Sequence, residues 1–103
     1  MSDWKPIASA ADCPPGSSLE LVVDDRIVAL FNVDGSLHAL DGVCSHQGGP
    51  LGKGDLGGCI VMCPWHGWQY DVRTGANLVN RSVTQETLPI KVVDDQIYVQ
   101  VKE

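Results

Sequence analysis

Residues 26–41 read RIVALFNV-DG-SLHALD. Aliphatic and β-branched residues fill Arg26 to Val33, Asp34-Gly35 interrupts them, and Ser36 to Asp41 resumes a half-apolar run. Asp-Gly accepts positive φ at both central positions of a two-residue turn, so the segment predicts an antiparallel hairpin. Upstream, Leu19, Leu21 and Val23 alternate with Ser18, Glu20 and Val22 until Asp24-Asp25. Downstream, Leu88 to Val93 and Gln96 to Val101 flank Asp94-Asp95 as a second hairpin, and Trp68 to Val72 and Ala76 to Leu78 flank Arg73-Thr74-Gly75. No window carries a capped helical stripe at period 3.6. Ser9 to Cys13 predicts a single helical turn, stopped by Pro14-Pro15-Gly16. Short strands punctuated by turn residues predict an all-β chain, an antiparallel sandwich or barrel.

A length of 103 residues fits one domain over 1–103. Seven Lys and Arg against thirteen Asp and Glu give a formal charge of −6. Nucleic acid and anionic membrane surfaces repel such a domain. The start, Met1-Ser2-Asp3-Trp4-Lys5-Pro6, lacks the basic and apolar regions of a signal peptide, and no apolar run reaches the length of a membrane span. Four Cys without a secretory signal predict a reducing, cytoplasmic compartment.

One segment breaks the strand rhythm. Residues 42–67 hold eight of the eleven glycines, three of the four Cys and two of the three His. A long glycine-rich insertion in a small β domain is usually a functional site on a scaffold. Within it stand Cys44-Ser45-His46 and, after sixteen intervening residues, Cys63-Pro64-Trp65-His66. Each loop supplies one thiolate and one imidazole. Facing loops of this kind let the thiolates share one iron of a [2Fe–2S] cluster and the imidazoles the other. Two Cys and two His also suit structural Zn²⁺, although zinc loops usually pair like ligands.

The chain resembles the Rieske iron–sulfur family, specifically its small soluble ferredoxins. Cys44-Ser45-His46-Gln47-Gly48-Gly49-Pro50-Leu51 and Cys63-Pro64-Trp65-His66-Gly67-Trp68-Gln69-Tyr70-Asp71 carry the resemblance, with weaker agreement in the flanks. It implies Cys44, His46, Cys63 and His66 as ligands of one [2Fe–2S] cluster. It also implies an antiparallel base domain with an inserted cluster-binding subdomain at about 42–67. Quinol-oxidising members have an extra Cys in each loop, forming a disulfide; the matching positions here are Gly49 and Trp65, so that bridge cannot form. Those members also place a Ser where Trp68 stands and a Tyr where Tyr70 stands, their hydroxyls raising the potential. Loss of the first donor predicts a centre in the lower part of the family's range. Tyr70 either keeps its bond or is only a core residue with its hydroxyl at the surface.

Removing His46 and His66 leaves His38 alone, so no 2-His-1-carboxylate iron site can be built. No strand–GxGxxG–helix pattern offers a flavin or nicotinamide site. The expectation is therefore a one-electron carrier and not an enzyme. The resemblance places it between an NAD(P)H-dependent flavin reductase and a terminal oxygenase. A Rieske-type small subunit of a nitrite reductase is the alternative within electron transfer, and a redox-inert zinc-binding module the alternative outside it. The acidic surplus either steers docking onto a basic partner rim or simply keeps the domain soluble. Trp65 is expected at the docking face, Trp68 as hydrophobic cover, Trp4 in the core, His38 toward solvent, Leu51 beneath the first loop, and Cys13 and Cys59 as packing residues.

Overall fold

The computed structural model describes residues 3–44, 49–65, 67–80 and 82–101. Among the described residues, three antiparallel sheets contain ten strands, and a run that is buried on both faces explains how they stack. Strand β3 (Arg26–Val33) is buried from Val28 through Asn32 without interruption. Its side chains divide by parity. Ala29 and Phe31 join one apolar cluster with Leu40, Leu51, Val61, Tyr70 and Val72. Val28 and Leu30 join another with Cys13, Ala39, Ile97 and Val99. A strand apolar on both faces belongs in the middle of a layered structure, and β3 is an interior strand of its sheet.

That sheet consists of β2 (Ser18–Val23), β3, β4 (Ser36–Asp41) and the short β8 (Thr87–Leu88). On one side is β1-β10-β9, formed by β1 (Asp3–Ser9), β10 (Gln96–Val101) and β9 (Ile90–Val93). On the other is β5-β6-β7, formed by β5 (Asp55–Gly57), β6 (Ile60–Met62) and β7 (Gln69–Asp71). Three tight turns link consecutive strands through positive-φ pairs: Asp24 and Asp25, Asp34 and Gly35, Asp94 and Asp95. This conformation matches the twist of paired strands, and Asp tolerates it better than most residues.

The hairpin at 26–41 has the expected bounds and pairs Val33 with Ser36. The helical turn at Ser9 is a single 3-10 turn, Ala10–Asp12, closed by a reciprocal Ser9–Asp12 capping box. Other expectations are corrected. The run Leu88 to Val93 is two strands in different sheets, divided at Pro89, which has no N–H for a ladder. Ala76 to Leu78 makes only isolated bridges, Ala76 to Thr84 and Asn77 to Tyr70. Trp4 is not core: it lies 37% exposed on β1 with the Lys91 ammonium 4.5 Å above its ring. His38 is half-buried and lies near Asp71, whose carboxyl is held below its ordinary value chiefly by the hydrogen bonds that Arg73 donates to it.

Candidate metal centre

The first motif leaves β4 through a short backbone clasp. Val43 bridges Pro50, the Cys44 N–H donates to the Gly49 carbonyl at 2.8 Å, and the Leu51 N–H donates to the Gly42 carbonyl at 3.0 Å. Leu51 then drops, fully buried, into the cluster around Phe31 and Val61. The second motif is the loop of the β6–β7 hairpin, where Met62 pairs with Gln69 and the Cys63 N–H donates to the Trp68 carbonyl at 2.7 Å. Two differently built loops thus have their ends pinned by main-chain bonds. Their sequences are free to serve the site.

Cys44 and Cys63 converge. Both are buried, at 2% and 1% exposure, and both belong to the same packed cluster. Burial raises the Cys63 thiol above its ordinary value, the Trp65 backbone N–H pulls it down, and the neighbouring Cys44 thiol pushes it up again. On the other side, the Tyr70 hydroxyl stands 3.3 Å from Cys44 Sγ. Tyr70 is fully buried, so its hydroxyl is not at the surface but beside the Cys44 sulfur. His46 and His66 lie outside the described residues, and among those described no three His, Cys, Asp or Glu side chains come together.

Neighbouring residues fall as the sequence suggested. Trp68 packs, partly buried, against the apolar cluster that contains both cysteines, and Cys13 is wholly buried in the other. Cys59 also packs, partly buried, against the first cluster. No disulfide joins Cys13, Cys44, Cys59 and Cys63. Trp65 is half exposed.

Sequence reasoning missed Gln85. Its side chain is 3% exposed, and its amide donates to the carbonyls of Asp41 and Val43. It therefore holds the chain immediately before Cys44. Nothing in the surrounding Thr84 to Thr87 distinguishes this Gln from a solvated one, because the bond spans more than forty residues.

The donor set suits a thiophilic metal group. Two buried sulfurs from facing loops share a site, with an O–H beside one and an N–H on the other. Such donors stabilise negative charge on ligand sulfur. The geometry is open to a cluster or a single ion, and the comparisons distinguish them. A model of the Rieske [2Fe–2S] domain matches residues 3–94. The ferredoxin component of a naphthalene 1,2-dioxygenase system from Pseudomonas aeruginosa is 31% identical over 98 residues, 93% of each chain. A solved complex of reduced oxygenase and oxidized ferredoxin in carbazole 1,9a-dioxygenase contains a chain 27% identical, TM-score 0.84, with 93% of this chain and 91% of that one covered. A protein described as a putative NADH-dependent nitrite reductase small subunit from Mycobacterium tuberculosis is 25% identical, TM-score 0.88, with 100% and 98% covered.

Proposed function

Because this chain belongs to the Rieske [2Fe–2S] domain family, we propose that Cys44 and Cys63 hold one iron of its cluster while His46 and His66 hold the other. When bound, the cluster takes up and returns one electron. A zinc-binding module is set aside by the family match. The observation that carries the ligand assignment is the meeting in one cluster of two buried thiols, Cys44 beyond β4 and Cys63 beyond β6. Cys44 and Cys63 supply thiolate charge, the Trp65 N–H and the Tyr70 O–H lie against those sulfurs, and Leu51 closes the apolar floor.

The protein is an electron carrier, as its ferredoxin relatives are, and not itself a catalyst. Its acceptor is a terminal oxygenase, a reading supported by the oxygenase–ferredoxin complex among its structural neighbours. Its donor is an NAD(P)H-dependent flavin reductase, and it works in the cytoplasm. Among the described residues no helix is long and apolar enough to cross a membrane. The inserted segment at about 42–67 acts as the cluster-binding subdomain. The nitrite-reductase reading is supported by the M. tuberculosis neighbour, but curated relatives matched over most of both chains are dioxygenase ferredoxins.

Iron and acid-labile sulfide per chain, with the EPR spectrum of the reduced protein, test the assignment. The parent should hold two irons and two sulfides, and Cys44→Ala or Cys63→Ala should lose both together with the visible colour. Full colour in Cys44→Ala would refute the ligand set.

A further inference from the structure

Gly49 touches both cluster loops. Its carbonyl accepts the Cys44 N–H at 2.8 Å. A methyl group placed on its α-carbon would stand 2.7 Å from Cys63 Sγ, 2.9 Å from Trp65 Cγ and 3.0 Å from Trp65 Cβ. Non-bonded carbon contacts have their optimum at about 3.5–4.0 Å, so the opposite loop already occupies the space a side chain would need. Trp65 meets Gly49 from the other loop. Its backbone N–H is bonded to the Cys63 sulfur, the root of its side chain lies on Gly49, and half of the residue faces solvent. No disulfide and no ion pair joins residues 43–50 to residues 63–68 among the described residues.

We infer that Gly49 and Trp65 form a non-covalent clasp: the Trp65 side chain, seated on a glycine that cannot bear a side chain, holds the two cluster loops together and covers the Cys63 sulfur. Trp65 is thus a positioning residue for the metal centre, and the inference rests on Cys44 and Cys63 being ligands. The glycine is required by proximity rather than by a turn. The tryptophan supplies a broad apolar cover that a smaller side chain would not, and the main-chain N–H it donates to sulfur is independent of its indole.

This independence makes the test clean. Trp65→Ala removes the indole and keeps the N–H. It should shorten the cluster's half-life in excess EDTA, followed by visible absorbance, on the order of tenfold, the scale of losses when groups around a metal's ligands are removed. It should also raise the midpoint potential in protein-film voltammetry, because water reaching the sulfur stabilises the more negative, reduced state. Trp65→Phe should fall between. Gly49→Ala, whose methyl meets Cys63 Sγ as well as the root of the Trp65 side chain, should lose at least as much as Trp65→Ala. The double variant should lose less than the product of the two singles, since the contact with Trp65 Cγ is gone. Should Trp65→Ala fail to accumulate with cluster, Trp65→Phe and Trp65→Leu take its place, with the same graded loss expected. Parental half-life and potential in the Trp65 variants, or Gly49 and Trp65 effects that multiply independently, would overturn the clasp. A parent protein without iron would instead overturn the metal-centre reading.

Discussion

Tyr70 and Cys44 show how much one hydroxyl can decide. At 3.3 Å either atom is able to donate while Cys44 is a thiol. Once Cys44 is a metal-bound thiolate its sulfur has no proton, so the Tyr70 O–H must donate. It then favours the reduced, more negative centre and raises the potential. Tyr70→Phe should lower the midpoint potential in protein-film voltammetry. The fold should persist, because the ring stays in the apolar cluster around Phe31 and Val61, and the hydrogen bond contributes only about 1 kcal/mol. An unchanged potential would show that the hydroxyl donates elsewhere. The two cysteines were legible from spacing because metal chemistry demands particular atoms at particular separations. Gln85 was not, since its role comes from two carbonyls that chain topology delivers. His38 was legible only as a strand residue. The carboxylate beside it comes from β7 in another sheet.

At the scale of elements, the legible parts were those whose signal is local. The turns at Asp24-Asp25, Asp34-Gly35 and Asp94-Asp95 declare themselves because their dihedrals need residues that accept positive φ. Strand β1 does not declare itself: it contains Pro6, its pairing slips between Pro6 and Ala8, and its partner β10 lies at the other end of the chain. An edge strand with a proline is permitted by geometry but discounted by pattern. Likewise, nothing within Leu88 to Val93 reveals that its halves serve different sheets. The stretch between β7 and β8 has no strand of its own, yet it is anchored where Gly75 meets Gln85. Gly75 has φ +81°, and a methyl there would stand 1.9 Å from the Gln85 carbonyl oxygen. Gly75→Ala should therefore destabilise the protein by about 2 kcal/mol or more, with strain and collision adding, as read from urea unfolding midpoints. Gln85 also braces Val43, so the variant should lose its visible absorbance at lower temperature than the parent. Equal midpoints would mean the loop repacks without cost.

Over the whole molecule, the charge of −6 is unevenly distributed. Ion pairs engage Asp24, Asp41, Glu86, Glu20 and Asp71. Asp12, Asp25, Asp34, Asp55, Asp94 and Asp95 are in none of the described ion pairs; Asp55 pairs with Met62 beside Cys63, whereas Asp12, Asp34, Asp94 and Asp95 gather at one place. The Ala10 N–H donates to the Asp95 carbonyl, Asn32 donates to the Cys13 carbonyl and receives the Gly35 N–H, and so the 3-10 turn and two hairpin tips adjoin. Strand β4 begins beside this group at Ser36 and runs away from it to Asp41, about 17 Å along an extended strand, before entering the Cys44 loop. This group of four carboxylates therefore lies away from the Cys44 loop, and a cationic surface that binds it turns that loop outward. Voltammetry at a gold electrode coated with amine-terminated alkanethiol should show strong adsorption but slow electron exchange. Asp34→Asn/Asp94→Asn/Asp95→Asn should adsorb more weakly and exchange faster. Fast exchange by the parent on that surface would contradict the arrangement. The carboxylates behave as a handle: a cationic bead or resin would grip the carrier by its blunt end and leave the sulfur-bearing loops free in the liquid, oriented without any engineered tag.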